Sequence, residues 1–246
     1  MSVALVTGGG GGIGRAIAVR LAADGYDVAV VDIDDKLGME TTHQVEAKGR
    51  RALFIRADVS KAEDVARYVA ETEEKLGPIA AFANNAGLEG VLAPIDEYPD
   101  DVFDRLLSVN VKGVFLGLKH VLARMRTRGK GAVVNMASTS SIRGRPTAAG
   151  YVATKHAVLG LTRVACLDFA DVGVRVNAVL PGPIETRMME SLDQQAQARG
   201  APIKRAGNRA YGKADDVANV VAFLLSDQAS HVNGAAWVVD AGTTVP

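Results

Sequence analysis

Residues 3–14 read VALVTGGGGGIG, an apolar run that leads into five consecutive glycines and then into a helical pattern. This pattern places Ile13, Ile17 and Leu21 on one face, and Asp24-Gly25 ends it. A glycine-rich turn between a strand and a helix is an anion-binding site, because free backbone N–H groups and the helix dipole point to the same place. The glycines fit both G-x-G-x-x-G and T-G-x-x-x-G-x-G, and a flexible surface loop is the alternative. The position between a strand and a helix favours the anion-binding turn.

The second predicted strand, Asp27–Val31, ends in Asp32, eighteen residues after Gly14. An acidic residue at this place accepts hydrogen bonds from the ribose hydroxyls of an adenosine and repels a 2′-phosphate. Neither the glycine run nor Ile33 supplies a basic residue, so the sequence favours NAD over NADP. Lys36 lies near enough to leave this choice open, and a solvated acidic turn in the run DIDD is the alternative.

Strand and helix patterns alternate along the rest of the chain. Further strands are predicted at 52–57, 79–83, 131–137, 174–180 and 235–239, and helices at 37–48, 62–76, 101–128, 152–169 and 213–226. Ser60-Lys61-Ala62-Glu63 predicts a capping box at the start of one of these helices. Residues 184–206 are weakly patterned and are predicted to form a mobile cover over a binding site. The alternation predicts an α/β fold, a doubly wound, mainly parallel Rossmann-type sheet with helices on both faces, in a single domain over 1–246.

The composition excludes several classes of partner and site. The 28 basic and 28 acidic residues balance, so we expect neither a nucleic-acid nor a membrane partner. No apolar run approaches the length of a membrane span and the first residues lack a signal-peptide pattern, so we expect a cytoplasmic protein. One cysteine, Cys166, excludes an intrachain disulfide. With four scattered histidines it cannot supply a zinc site, so no metal is expected.

A second chemical pattern lies in residues 138–155, STSSIRGRPTAAGYVATK. On a helix, Tyr151 and Lys155 lie on the same face, because positions i and i+4 are neighbours. An ammonium about 4 Å from a phenol, at an effective dielectric constant of ~20, favours the phenolate by about 4 kcal/mol, or roughly three pKa units. The pair therefore suits proton transfer, although YxxxK also occurs by chance on amphipathic helices.

Taken together, these motifs resemble those of the short-chain dehydrogenase/reductase family over essentially the whole chain. The matching pieces, in order, are Thr7–Gly14, Asp32, Asp58-Val59, Asn84–Gly87, Asn110, Ser138, Tyr151, Lys155 and Pro181–Thr186. The sequence differs from the family at Asp240-Ala241-Gly242, where two glycines are usual. Among family members, the pieces NNAGLEG, GVFLG and SIRG are most similar to bacterial NAD-dependent reductases of cyclic ketones.

The resemblance implies a role for each matching residue. In the catalytic group, Ser138 would hold the substrate oxygen, Tyr151 would be the acid/base, Lys155 would bind the nicotinamide ribose and lower the tyrosine pKa, and Asn110 would hold a water in a proton relay. The implied cofactor-binding residues are Gly8, Gly12, Ile13, Gly14, Asp32, Ile33, Asp58, Val59, Asn85, Ala86, Gly87, Tyr151, Lys155, Pro181, Gly182, Ile184 and Thr186.

The function implied is an NAD(H)-dependent oxidoreductase that interconverts a secondary alcohol and a ketone. A dinucleotide-sensing regulator without turnover is the alternative, but such proteins tend to lose the tyrosine or the lysine. The substrate is expected to be a cyclic or other bulky apolar alcohol or ketone that contacts Leu88, Ser138, Ile142 and Met188. Arg143 and Arg145 could bind an anionic group or could be solvated loop residues.

Assembly is predicted from two helix patterns and from the resemblance. The helices at 106–128 and 152–169 are apolar over a wide arc, through Val114, Leu118, Val121, Leu122, Val158, Leu161, Val164 and Leu167. Apolar residues beyond a core-facing stripe are commonly buried against another subunit. With the family resemblance, this predicts a homotetramer.

Overall fold

The computed structural model describes residues 2–200 and 211–245. Seven parallel strands form one sheet in the order β3-β2-β1-β4-β5-β6-β7. The strands are β1 Val3–Thr7, β2 Asp27–Asp32, β3 Ala52–Arg56, β4 Ile79–Asn84, β5 Gly131–Met136, β6 Val174–Pro181 and β7 Ala236–Val239. The helices are α1 Gly12–Ala23, α2 Asp35–Glu46, α3 Ala62–Lys75, α4 Asp100–Leu106, α5 Gly113–Arg128, α6 Ala149–Phe169, α7 Arg187–Ala198 and α8 Ala214–Leu225. The predicted doubly wound Rossmann-type fold is confirmed.

Helices cover both faces of the sheet and bury two apolar layers. One layer contains Val65, Val121 and Val158, from α3, α5 and α6. The other contains Ile17 and Val221, from α1 and α8. Because both faces are covered, the inner strands are continuous apolar runs without alternation, as VALVT in β1 shows.

The strand order reverses between β1 and β4, which lie side by side in the sheet. Chain leaving β1 turns toward one edge and chain leaving β4 toward the other, so a crevice opens at their carboxyl ends. The glycine run and the segment after Asn84 both lie at this crevice. The fold therefore brings the sequence motifs to one edge of the sheet.

The predicted helix at 101–128 is interrupted. The chain forms α4, then a wider π-helical turn over Leu107–Lys112, and then α5. Asn110 lies in this turn, where its side chain bonds to the backbone of Leu88. The stretch Asp100–Arg128 is long and apolar enough to cross a membrane by length and composition, but half of its most apolar window is buried inside the protein. It is a helix of the protein core.

The predicted capping box at 60–63 does not form. The Ser60 hydroxyl donates to Asp58 Oδ1 at 2.7 Å, so it does not cap the helix. Helix α3 begins at Ala62, and Asp64 in its first turn accepts the backbone N–H of Asp58 at 2.9 Å. The other boundaries shift by one to three residues; α2, for example, begins at Asp35 because the Asp34 side chain caps it, and α6 begins at Ala149.

The cover predicted at 184–206 contains an ordered helix, α7. Thr186 caps this helix, and Leu192 and Ala196, four residues apart, pack against the body of the protein. The sequence did not predict this helix at 187–198, the mobile cover stays a prediction, and 201–206 lie outside the described residues.

The eight members of the apolar arc behind the assembly prediction differ in exposure. Five are buried within the subunit itself, namely Val114, Leu118, Val121, Leu122 and Val158. Leu161 is half-buried against the core. Val164 and Leu167 on α6 are exposed, Leu167 at 76%, and Phe115 on α5 is exposed as well. The apolar surface available to another subunit is therefore narrower than the sequence pattern implies.

Candidate active site

The glycine run forms a tight turn between β1 and α1. Gly8 and Gly12 have positive φ values of 62° and 50°, which favour glycine. Gly14 packs so closely on the turn that a Cβ there would lie 1.9 Å from the Gly8 carbonyl oxygen. Helix α1 has Gly11 at its N-cap without a side-chain cap, so its first N–H groups have no side-chain acceptor. The turn is a cradle for an anionic group.

Residues of β1 and β4 hold this cradle in place. The Thr7 hydroxyl accepts the backbone N–H groups of Asn85 and Ala86 at 3.0 and 3.2 Å. The Asn85 amide donates to the carbonyls of Thr7 and Gly8 at 3.0 and 3.2 Å. Both protons of the Asn85 amide are thereby engaged by the turn, so Asn85 supports the cradle from behind.

Asp32, the last residue of β2, faces the same crevice. Its Oδ2 accepts the Gly10 N–H at 2.8 Å, and its Oδ1 accepts the Asp34 N–H at 3.1 Å. The carboxylate is thus fixed at the end of the strand, with the exposed Ile33 beside it. A fixed carboxylate here can accept hydrogen bonds from a vicinal diol.

A cleft of ≈ 1480 Å³ connects this region to the predicted catalytic residues. All of the predicted cofactor-binding residues line it: Gly8, Gly12, Ile13, Gly14, Asp32, Ile33, Asp58, Val59, Asn85, Ala86, Gly87, Tyr151, Lys155, Pro181, Gly182, Ile184 and Thr186. Leu37 and Val109 also line it, although the sequence pattern predicted only that they lie in helices. An elongated cleft with the glycine cradle at its side and a diol acceptor at one end fits a dinucleotide.

Ser138, Tyr151 and Lys155 lie at the other end of this cleft. Ser138 follows β5, and its Oγ accepts the Ser140 N–H at 3.1 Å. Tyr151 and Lys155 lie one turn apart on α6, with Lys155 Nζ 5.6 Å from the centre of the tyrosine ring. The Ser141 hydroxyl donates to the Lys155 carbonyl at 2.8 Å, which ties the serine turn to α6.

Lys155 is buried, and its ammonium donates to the Met136 carbonyl at 2.8 Å. Burial lowers the pKa of Lys155 from 10.5 to about 8. Burial also raises the pKa of Tyr151, against a hydrogen bond with Ser138 and the charge of Arg145, which both lower it. Burial is the largest influence on Tyr151, so its pKa lies above the ordinary value in this structure.

Asn110 is buried behind the cleft and does not line it. Its Oδ1 accepts the Leu88 N–H at 2.8 Å, and its Nδ2 donates to the Leu88 carbonyl at 2.8 Å and to Thr154 Oγ1 at 3.2 Å. A Cβ on Gly87 would lie 3.3 Å from Asn110 Oδ1 and 3.6 Å from Lys155 Nζ. Asn110 therefore fixes the loop after β4 beside the catalytic lysine.

The substrate end of the cleft is closed by α7. Leu192 and Ala196 on this helix pack with Leu92 and Ala148 in a small apolar cluster. Gln195 also joins α7 to the segment after β4, because its Oε1 accepts the Leu92 N–H at 3.0 Å. The sequence did not identify Leu192, Gln195 or Ala196, since this segment could not be assigned as a helix.

Three of the four predicted substrate residues line the cleft, namely Leu88, Ser138 and Met188. Ile142 does not line it and is 48% exposed, so its contact with the substrate stays a prediction. Arg143, Arg145 and Pro146 line the cleft after it. Across 2–200 and 211–245, no group of three or more His, Cys, Asp or Glu side chains is placed to hold a metal ion.

Comparison with known proteins defines the family. The family model described as enoyl-(acyl carrier protein) reductase matches residues 9–244. Levodione reductase from Leifsonia aquatica is 43% identical over 98% of this chain and 93% of its own. The chain belongs to the short-chain dehydrogenase/reductase family.

Other members of the short-chain dehydrogenase/reductase family act on different alcohols. The 2-(R)-hydroxypropyl-CoM dehydrogenase of Xanthobacter autotrophicus is 40% identical, with 98% of each chain covered. Cyclohexanol dehydrogenase of an Acinetobacter species is 36% identical over 98% of this chain and 94% of its own.

Solved structures of the family share the whole fold. The crystal structure of levodione reductase superposes with a TM-score of 0.94 at 42% identity, covering 100% of this chain and 98% of that one. The structure of NAD⁺-bound xylitol dehydrogenase has a TM-score of 0.90 at 35% identity, with 97% of each chain covered.

Proposed function

We propose that this protein is an NAD(H)-dependent oxidoreductase that interconverts a secondary alcohol and a ketone, with Tyr151 as the acid/base. The observation that carries the proposal is the single cleft that contains the glycine cradle, the Asp32 carboxylate and the Ser138–Tyr151–Lys155 group. The relatives, which include dehydrogenases and reductases of small alcohols and ketones, support the same reaction class.

The cofactor is NAD. The glycine cradle and the first N–H groups of α1 receive its pyrophosphate, and Asp32 accepts the adenosine ribose hydroxyls. A 2′-phosphate would be repelled by that carboxylate, and no basic side chain lies at Ile33 to offset the repulsion. The NAD⁺-bound xylitol dehydrogenase structure supports this choice. When bound, the nicotinamide ring supplies the hydride acceptor, or the donor in its reduced form.

The side chains at the catalytic end move one proton. In alcohol oxidation, the Tyr151 phenolate removes the hydroxyl proton, and in ketone reduction the phenol returns it. The Ser138 hydroxyl accepts the Ser140 N–H with its oxygen and hydrogen-bonds to Tyr151, and a bound substrate oxygen would take over this hydroxyl proton. Lys155 has three N–H donors and gives one to Met136, so two remain for the nicotinamide ribose and the tyrosine. Asn110 positions this group by fixing Leu88, and Oδ1 retains a lone pair for a water.

The substrate is a bulky apolar alcohol or ketone. The cleft has an apolar wall of Leu92, Met189 and Leu192, which pack in one cluster, and this wall favours an apolar body on the substrate. A ring fits such a wall, and cyclohexanol dehydrogenase is among the relatives. Glu89 and Arg145 act electrostatically on Tyr151, so they lie near the reacting end of the substrate.

Assembly into a homotetramer belongs to the same proposal. The exposed Phe115, Val164 and Leu167 would form one contact, and Trp237 and Val238 on the edge strand β7 would form the other. A cytoplasmic location, expected from the sequence, stays a prediction. Light scattering coupled to size exclusion measures the mass directly, and a stable, fully active monomer at micromolar concentration would refute the assembly.

A panel of cyclic and acyclic secondary alcohols, assayed for NAD⁺ and NADP⁺ reduction at pH 9, tests the function. We expect turnover with NAD⁺, a preference for cyclic alcohols, and loss of turnover in Tyr151→Phe. NADH binding is measured separately by fluorescence titration. Tight NADH binding without turnover of any alcohol or ketone would favour the dinucleotide-sensing alternative.

A further inference from the structure

Arg187, the first residue of α7, reaches across to the glycine cradle. A Cβ on Gly11 would lie 3.4 Å from Arg187 Nη2. Since a Cα–Cβ bond is about 1.5 Å long, the guanidinium lies within about 5 Å of the Gly11 Cα. A Cβ on Gly12 would likewise lie 3.3 Å from Thr186 Cγ2. The start of α7 therefore lies against the N-terminus of α1.

The charge of Arg187 is not offset within the described residues. Glu185 and Glu190 lie close in sequence, yet neither is among the ion pairs that the described chain forms. The side chain is exposed and lines the cleft. A guanidinium in this position is free to bind an anion that enters the cradle.

The other arginine at the cradle is already engaged. Arg15 donates to the carbonyls of Gly10 and Leu37 and forms an ion pair with Glu40 at 3.0 Å. Its charge supports the turn from outside the cleft. Arg187 is thus the arginine whose donors remain available on the inner side of the cradle.

We propose that Arg187 is a ligand of the dinucleotide pyrophosphate, opposite the N–H groups of α1. A guanidinium binds phosphate oxygens with two parallel charge-assisted hydrogen bonds, which suits a pyrophosphate bound on its other side by backbone donors. This assignment rests on the proposed use of NAD.

The contact links the cofactor to the substrate wall. Arg187 stands at the beginning of α7, and the same helix carries Leu192, Gln195 and Ala196 to the loop after β4. Binding of the pyrophosphate by Arg187 therefore fixes the helix that shapes the substrate end of the cleft. Cofactor binding and the form of the substrate site are coupled through one rigid element.

The test compares ligands with and without a pyrophosphate. ADP-ribose, ADP and adenosine are titrated against Arg187→Ala, Arg187→Lys and the unmodified protein, by calorimetry and by displacement of NADH. The control is Arg199→Ala, which removes the same charge from the exposed far end of α7, about 18 Å away at 1.5 Å per residue.

We expect Arg187→Ala to weaken ADP-ribose and ADP binding by roughly 10-fold or more and to leave adenosine binding unchanged. The lysine variant should recover part of the loss, and the salt dependence of ADP-ribose binding should become shallower in the alanine variant. Circular dichroism and a melting curve check that each variant is folded.

Three results would overturn the proposal: unchanged ADP-ribose affinity in a folded Arg187→Ala, an equal loss for adenosine, or an equal loss in Arg199→Ala. A higher KM for the alcohol with unchanged ADP-ribose affinity would assign the residue to substrate recognition and overturn it too. The ADP-ribose, ADP and adenosine titrations need no turnover. Failure of the proposed function would instead appear as intact ADP-ribose binding without activity on any alcohol.

Discussion

Replacement of Lys155 by methionine should abolish catalysis and yet stabilise the folded protein at neutral pH. Lys155 is 5% exposed, and its pKa is lowered to about 8 from 10.5 because burial disfavours the charged form. A lysine that titrates near pH 10.4 when unfolded binds its proton more weakly when folded. Below pH 8 the folded protein therefore holds a buried charge at a cost in its free energy of unfolding.

The magnitude follows from the shift. The difference of about 2.5 pKa units corresponds to about 3 kcal/mol at 1.36 kcal/mol per unit. The free energy of unfolding of the unmodified protein should increase by this amount between pH 8 and 10.5, since the unfolded state binds more protons than the folded state in that range. Methionine has no proton to lose, but it forfeits the bond to Met136, worth about 1–2 kcal/mol. Lys155→Met should therefore be about 1–2 kcal/mol more stable at pH 7 and about 1 kcal/mol less stable near pH 10.5.

Urea unfolding followed by circular dichroism measures the free energy of unfolding of both proteins at several values of pH from 7 to 10.5, without dinucleotide and at one protein concentration. The control is Lys48→Met, which removes an exposed lysine just after α2. The difference in free energy of unfolding between Lys48→Met and the unmodified protein should not vary with pH. If the difference in free energy of unfolding between Lys155→Met and the unmodified protein changes by less than about 1 kcal/mol over this pH range, the buried ammonium is refuted.

Four further outcomes are expected. Tyr151→Phe should lose most turnover but keep NADH affinity, because it deletes the acid/base hydroxyl; initial rates and fluorescence titration decide, and substantial activity would contradict the assignment. The pair Asp32→Ala and Ile33→Arg should shift kcat/KM toward NADP, whereas equal kcat/KM for both cofactors in the unmodified protein would argue against the role of Asp32. Alcohol oxidation should increase with pH on the alkaline side, because burial raises the pKa of Tyr151; a rate that stays flat from pH 6 to 10, with chemistry rate-limiting, would exclude a phenolate base. Burial raises the pKa of Asp27, but hydrogen bonds from Arg51 and the arginine charges beside it outweigh this and lower it. The ionised Asp27 carboxylate therefore stabilises the folded protein above pH ~4, and this stability is lost as pH falls through the lowered pKa of Asp27. Asp27→Asn should reduce the fall in melting temperature on the acid side of a pH profile, and an unchanged fall would refute the stabilising role of Asp27.

The sheet could be predicted because its signals are local and strong. Residues 3–14 combine a buried strand, a glycine turn and a helix start, and each piece depends only on its neighbours in sequence. Tyr151 and Lys155 could be paired for the same reason, since helical spacing alone brings them to one face. The residues that line the cofactor end of the cleft follow from the carboxyl ends of parallel strands, which meet at one edge.

Features that depend on tertiary contacts could not be predicted in this way. The π turn at Asn110 has the apolar spacing of an ordinary helix, and its cause is a bond to Leu88 from a different loop. Ile142 was expected at the substrate as an apolar residue of the segment after Ser138, yet it is 48% exposed and does not line the cleft. The apolar arc of α5 is wider than one core stripe, and the sequence does not show how much of such a helix its own sheet and neighbouring helices cover.

The substrate wall and the proton-transfer group stand on different pieces of the chain. Ser138 follows β5, and Tyr151 and Lys155 lie on α6, whereas much of the proposed substrate wall is carried by the single helix α7. A new substrate preference could therefore arise from changes within residues 188–198, with the acid/base geometry inherited intact. Such a separation allows the family to diversify by exchanging one helix, and it makes α7 the segment to graft when the enzyme is redirected to another alcohol.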